Sequence, residues 1–358
     1  MATSKKTTKP QFKAKTTNEH YEDAAKRIIE ALKEGTAPWI KPWDSSVSKT
    51  FSRPLSASTN KPYSGINTIL LMSRGHSDPR WCTFNQAKAN GWNIRKGEKG
   101  TAIYFFKPHM VKSEEIDPKT GEPKVRTIPV LKSFTVFNAE QMDNVPAFDP
   151  TPKDFKPVEA AEAIIAGSGA KIRMGAEEPR YLLATDEIEI PAKAAFASEE
   201  AFYSTAIHEL GHWSGHPDRL NRPNVEFLDD PVLYAKEELR AEIASMLMAA
   251  DIGILHDPSN HMAFIGEWIA LLENDPKEIF RAARDAEAIK NHLLALAQPS
   301  AEVDIARAAQ NERTAVEDVS FTSPSDSSID EGDFMEIFGI AFDSDEAKAH
   351  ASASHSFG

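Results

Sequence analysis

The sequence has 358 residues, about two domains' worth, and its 41% hydrophobic content is enough to bury proper cores. No apolar run reaches the roughly 18 residues of a membrane span, and the basic start "MATSKKTTKPQFKAKTTNEH" lacks the apolar centre of a secretory signal. The single cysteine, Cys82, excludes a disulfide framework and a thiolate zinc site, and fits a reducing compartment, most simply the cytoplasm. The net charge of -13 hides a segregation. Residues 1–112 carry 20 Lys/Arg against 8 Asp/Glu (+12), whereas residues 299–358 carry 3 against 13 (-10). A basic front and an acidic tail are two different objects.

In chain order, residues 1–17 form a Lys/Thr-rich arm expected to be disordered. "NEHYEDAAKRIIEALKEGTAPW" reads as an amphipathic helix, with Ala24, Ile28, Ile29 and Leu32 at helical spacing, Asn18 as cap and Gly35 as stop. A mixed unit follows to 147, with turns at "NKPYSG" and "RKGEKG" and strands at "TAIYFF" and "KSFTVFNAEQ". The insert "SEEIDPKTGEPK" reads as a hairpin loop, and residues 148–157 as a Pro-rich linker. A mainly helical unit spans 158–298. It holds a helix at "PVEAAEAIIAGSG", the alternating strand "DEIEIP" stopped by Pro191, and a helix at "SEEAFYSTAIHELGHWSG" capped by Ser198. Helices at "LYAKEELRAEIASMLMAADIG", "NHMAFIGEWIALLEN" and "PKEIFRAARDAEAIKNHLLALA" complete it. The Ser/Asp-rich remainder, 299–358, lacks core-forming periodicity and is expected to be a disordered tail. The fold class is thus α+β.

"HELGH" places His208 and His212 four apart, on one helix face, where both can bite one ion. Glu209 projects beside them, within reach of a metal-bound water. The helix is apolar on its flanks (Phe202, Tyr203, Ile207, Leu210, Trp213), and buried histidines and a glutamate need partners. The bland alternative is a solvated polar face. Third-ligand candidates are Glu238 and Glu242, which share a face of the later helix; one would ligate while the other accepts a ligand histidine's N–H. Glu238 as ligand gives an arrangement like the Glu-xxx-Asp of thermolysin-like zincins. Glu237 is also at hand, and His216 ranks last. The bland reading of these glutamates is a solvated face shared with Lys236 and Arg240. Zinc is the default metal for His/His/Glu, with manganese or another divalent ion as the variant.

The front unit interleaves cations with aromatics: Trp39, Lys41 and Trp43, then Lys61 and Tyr63, then Arg80, Trp81, Lys88, Trp92, Arg95, Lys96 and Lys99. Cations neutralise phosphates and aromatic faces stack bases without reading sequence, as in a single-strand binder. Asn67, Asn85 and Gln86 offer hydrogen bonds. The bland reading is that several of these aromatics are core, Trp81 and Phe84 first.

With these runs in view, the chain resembles the ArdC-type antirestriction proteins of plasmids and phages, and the accessory region of a conjugative-plasmid primase. The carriers are "IIEALKEGTAPWIKPW", "NKPYSGINTILLM", "WCTFNQAKANGWNIRKGEKG", "FTVFNAEQ", "FYSTAIHELGHWSGHPDRLNR", "YAKEELRAEIASML" and "FIGEWIALLENDPKEIFRAARDAEAI", together about residues 18–297. The resemblance implies an N-terminal single-stranded-DNA-binding domain, a C-terminal zincin-like metallopeptidase domain, and protection of incoming DNA from restriction. It implies metal histidines at His208 and His212, a catalytic glutamate at Glu209, and a third ligand from "EELRAE". The substrate would be a protein met on DNA, or the chain itself, aligned by edge pairing with "DEIEIP". The location would be the host bacterial cytoplasm, with transfer alongside incoming DNA as a variant; no membrane partner is expected. The rival class is a non-enzymatic DNA shield with a structural metal site. The tail's "SSIDEGDFMEIFG" is similar in character to the acidic tips of single-strand-binding proteins, which suggests protein docking, competition for the basic face, or DNA mimicry; its bland role is solubility.

Overall fold

The computed structural model describes residues 15–40, 53–116, 123–148, 157–223, 230–254, 256 and 263–297. Helix α1 (Thr17–Lys33) opens on a reciprocal cap in which the Thr16 hydroxyl accepts from the Glu19 N–H and the Glu19 side chain accepts from the Thr16 N–H. The expected cap, Asn18, therefore lies inside the helix. Gly35, at φ +67°, ends it as expected.

The front half then folds as β1 (Leu55–Ser56), α2 (Gly65–Met72), β2 (Arg80–Thr83), α3 (Phe84–Ala89), β3 (Asn93–Ile94), β4 (Thr101–Ile116), β5 (Pro123–Asn138) and β6 (Met142–Asp143). Its main sheet has the order β1-β2-β5-β4, parallel between β1 and β2 and antiparallel elsewhere. Strands β4 and β5 pair from Thr101↔Val136 outward to Ile116↔Pro123. They absorb half of the expected loop, at its two ends; residues 117–122 fall outside the described chain. The expected strand at "KSFTVFNAEQ" ends at Asn138, whose side chain caps a 3₁₀ turn over Ala139–Gln141.

The second half opens with α4 (Pro157–Ser168). A three-stranded sheet of β7 (Lys171–Met174), β8 (Arg180–Leu182) and β9 (Glu187–Ile190) follows, then α5 (Glu199–Trp213), α6 (Pro231–Ile252), α7 (Ile265–Asn274) and α8 (Glu278–Leu296). In this sheet β9 is central, parallel to β7 and antiparallel to β8. The "DEIEIP" strand thus has both edges filled and cannot align a substrate by edge pairing, which corrects the sequence expectation. No described helix is long and apolar enough to cross a membrane.

The two halves share one hydrophobic core. Helices α1 and α2 pack on α7 and α8, and a single cluster runs from Ile28, Leu32, Trp39 and Ile69 to Leu210, Leu239, Trp268 and Ile289. Buried charge crosses the same seam. Arg53 reaches Glu287 at 3.1 Å and Asp251 at 3.4 Å, and Lys290 reaches the same two carboxylates at 2.6 and 3.2 Å. A charge network of this kind fixes the register of the two halves once burial has brought them together.

Candidate metal centre

The site is built where α5 crosses α6. Ser198 caps α5 by accepting from the Ala201 N–H. Asp230 caps α6 by accepting from the Val232 and Leu233 N–H groups, and Gly253 closes that helix at φ +78°. Gly211, between the two histidines, lets the helices approach: a Cβ there would lie 3.4 Å from Ala241 Cα and Cβ. The polar face of α5 is thereby pressed against Glu237, Glu238 and Glu242, all buried. Helical propensity does not explain this burial, since apolar flanks on both helices drive it.

His208 Nε2 and His212 Nε2 lie 3.0 Å apart. Glu238 faces both, at 3.5 Å from His208 Nε2 and 3.4 Å from His212 Nε2. The other ring nitrogens point outward to carboxylates. His208 Nδ1 lies 3.2 Å from Glu242 and His212 Nδ1 lies 3.5 Å from Glu237. Glu237 is paired in turn with Arg222 at 2.5 Å, and Arg222 donates to the Gly211 carbonyl and the Ser214 hydroxyl at the end of α5. So each histidine is oriented by a carboxylate behind it, with its Nε2 aimed at a common point.

The electrostatics follow. Burial opposes charging His208 and His212, yet the carboxylates override it: Glu238 and Glu242 hold His208 well above its ordinary range, and Glu238 and Glu237 raise His212 to about 9. Burial also opposes ionising Glu237, but Arg222 and His212 bring it down to about 2. Glu238 is likewise depressed, against burial, by His212 and His208. A cation at the common point would take over the role of the protons on the histidines.

The donor set fits such a cation. Three ligand atoms about 2.0–2.2 Å from a tetrahedral ion sit roughly 3.4 Å apart, and His208, His212 and Glu238 form a buried triad with one potential ligand atom from each, all within 4.8 Å. Glu238 and Glu242, symmetric in the sequence, are separated by geometry: Glu238 faces the Nε2 pole and Glu242 lies behind His208. His216 lies outside the cluster, its Nδ1 accepting from the Asp218 N–H in the turn after α5. Glu209 is buried beside His208. The Tyr234 phenol bonds to Glu238 and senses the charge of Glu209; burial, then Glu238, keep it protonated. The solvated reading of the α6 glutamates does not hold, since even Arg240 is buried between Glu278 at 2.8 Å and Asp285 at 2.7 Å. Arg222 and His256, which complete the support of this site, carry no local sequence signal.

The front-half expectations divide. Trp39 is fully buried, edge-on to Trp268, and Trp81 is buried beneath Leu71, Ile103 and Val136; neither offers a free face to a base, which corrects both assignments. Arg80 is held by Asp78 and the Pro146 carbonyl, and Arg95 by Glu98 and the Glu140 carbonyl. Tyr63 and Trp92 are half-buried against core clusters. Asn67 is structural, bonding both ways to the Tyr104 backbone, and Gln86 caps α3 with Thr83. Lys61, Lys88, Lys96 and Lys99 are exposed. Phe84, expected to be partly core, is 60% exposed. It shares a face of α3 with Lys88. Lys41 and Trp43 lie outside the described residues.

Residues 18–137 match the family described as the N-terminal domain of the anti-restriction factor ArdC, and residues 159–285 match the family described as zincin-like metallopeptidase. Among solved structures, the antirestriction protein ArdC from the R388 plasmid, metal-free, is 32% identical, superposes with a TM-score of 0.62, and is covered over 97% of its length by 77% of this chain. The chain belongs to the ArdC antirestriction family. The Mn(II)-bound structure of the same plasmid protein is similar at a TM-score of 0.61. A family relative called uncharacterized protein y4eC, from Sinorhizobium fredii, is 30% identical over 278 residues, which is 75% of this chain and 89% of that protein. A DNA primase, TraC, of Escherichia coli is 47% identical over 290 residues, which is 78% of this chain and 27% of the primase. A second TraC is 43% identical over 20% of its length, so the chain spans about a quarter or less of these primases.

Proposed function

We propose that this family member protects DNA from restriction by holding single-stranded DNA on the front half and hydrolysing peptide bonds at a divalent-metal site on the second half. The observation that carries the hydrolase part is the buried His208–His212–Glu238 triad with Glu209 beside it on the same helix. His208 and His212 through Nε2, and Glu238 through its carboxylate, would hold the ion; zinc is the default, and the Mn(II)-bound plasmid relative makes manganese an equal candidate. When bound, the ion would polarise the scissile carbonyl and make water a nucleophile near neutral pH.

The chain's own residues do the rest. Glu209 takes the proton from the attacking water and delivers it to the leaving amine. Glu242 and Glu237 keep the imidazoles turned so that their Nε2 lone pairs face the centre. Glu242 is placed behind His208 and does not close the site as a fourth ligand, the arrangement a catalytic centre needs. The protein substrate would be met on DNA.

For the front half, Lys61, Lys88, Lys96 and Lys99 supply phosphate neutralisation and Phe84 a stacking face. A single strand should bind with a log–log salt slope of about -0.7 per phosphate contacted. Phe84→Ala should cost about 1–3 kcal/mol of DNA affinity, read by fluorescence anisotropy, and leave the urea midpoint unchanged. Trp39→Ala should behave in the opposite way, losing about 3–5 kcal/mol of folding stability. Salt-independent DNA binding would sink the electrostatic groove. A Phe84→Ala protein with full affinity would remove the stacking face.

A further inference from the structure

Behind the metal triad a line of buried polar groups leads out of the second half and into the front half. Glu242 Oε2 lies 3.2 Å from His208 Nδ1, and its other oxygen lies 3.1 Å from His256 Nε2. The same His256 nitrogen lies 2.8 Å from the Trp39 carbonyl. Trp39, Glu242 and His256 are each at most 1% exposed, so no bulk water competes for these contacts. A carbonyl oxygen and a carboxylate oxygen can only accept, so a ring lone pair set against both the Trp39 and the Glu242 oxygens would be repelled by each. His256 therefore carries its proton on Nε2, donated to the Trp39 carbonyl, with the Glu242 oxygen close beside it. The carbonyl is itself fixed, because the Trp39 ring meets Trp268 edge-on and the Trp268 indole N–H donates to the Ala235 carbonyl, three residues before Glu238.

We propose that His256 is a positioning residue of the metal centre, through which the front-half backbone at Trp39 fixes Glu242 and hence His208. The inference rests on the metal-site reading above. A carboxylate that met His208 alone would be free to rotate about its terminal torsion. With an imidazole nitrogen against each oxygen its orientation is fixed, and His208 keeps its Nε2 toward the ion. The front half thereby contributes to metal affinity without touching the metal, and by reciprocity a bound ion tightens the seam between the halves.

The test uses the full chain with zinc(II) or manganese(II) as probe, its affinity taken from competition with a chromophoric chelator at fixed pH. His256→Met and His256→Gln form the informative pair, similar in length but differing in the N–H donor. The methionine variant should bind metal about tenfold more weakly, and the glutamine variant should stay within about threefold of wild type. Wild-type affinity in the methionine variant would overturn the proposal. So would equal weakening in both, since then shape rather than the donor matters. His208→Ala is the reference. If that variant also binds metal normally, it is the metal-site reading that has failed. A measurement without substitution guards against misfolding of a variant: in the zinc-loaded wild type, 15N NMR should show His256 protonated at Nε2, and an Nδ1-protonated ring would overturn the relay.

Discussion

Replacing Glu209 by Gln should leave metal content and single-strand affinity unchanged and lower peptide-bond hydrolysis by about 10²–10⁴-fold, the range lost when a positioned general base is removed. The substitution keeps size and hydrogen bonding but removes the proton acceptor. Glu209 is not part of the His208–His212–Glu238 triad, so the ion stays. The measurement is cleavage of DNA-associated protein by metal-loaded chain, with metal content checked by elemental analysis. A glutamine variant as active as wild type would remove Glu209 from the chemistry. A variant that loses its metal would make Glu209 a ligand instead. In cells, the same variant separates the two classes of function: a hydrolase loses protection, whereas a shield that only covers strands keeps it.

Arg222→Ala should cost about 3–5 kcal/mol of stability, the cost of stripping one partner from a buried ion pair. Arg222 pairs with fully buried Glu237 at 2.5 Å and also donates to the Gly211 carbonyl and Ser214 hydroxyl, so it ties the end of α5 to α6. Without it Glu237 keeps, among the described residues, only His212 as a charge partner, and the carboxylate that orients this ligand is no longer anchored. Metal affinity should then fall by about 10–100-fold as well. Chemical denaturation of the metal-free chain reads the first effect and chelator competition the second. Adding Glu237→Gln to Arg222→Ala should recover part of the stability, because the uncompensated charge is gone; strict additivity of the two changes would contradict the pairing.

How much of this was legible follows from what each signal depends on. Helix α5, its Ser198 cap and the common face of His208 and His212 are local, set by spacing and capping chemistry within a few residues, and the structure has them as read. That Glu238 and Glu242 share a face was equally local. Which one meets the Nε2 pole was not, because residues i and i+4 are interchangeable until the partner helix is placed. Helix α2 went unread: "GINTILLM" is apolar at nearly every position, and a short apolar run does not distinguish a buried helix from a buried strand. Trp39 and Trp81 illustrate a different limit. Tryptophans among lysines have the composition of a stacking platform, yet these two fill the core, and among the described residues of the front half the exposed aromatic is Phe84. Arg222 and His256 were invisible because their partners come from other elements, 15 residues away for Glu237 and 217 for the Trp39 carbonyl. The shared core was hidden for the same reason: the apolar faces of α1 and α2 show no preference for a partner until α7 and α8 are laid against them.

The central claim is that His208, His212 and Glu238 hold one divalent ion with a coordination position left open. Anomalous diffraction at the zinc or manganese edge, from crystals of the loaded full chain, tests it most directly. The account predicts a single peak about 2.0–2.2 Å from both Nε2 atoms and a Glu238 oxygen, with Glu242 on His208 Nδ1 behind it. A peak closed by four protein ligands, or the absence of any peak at this triad, would contradict it.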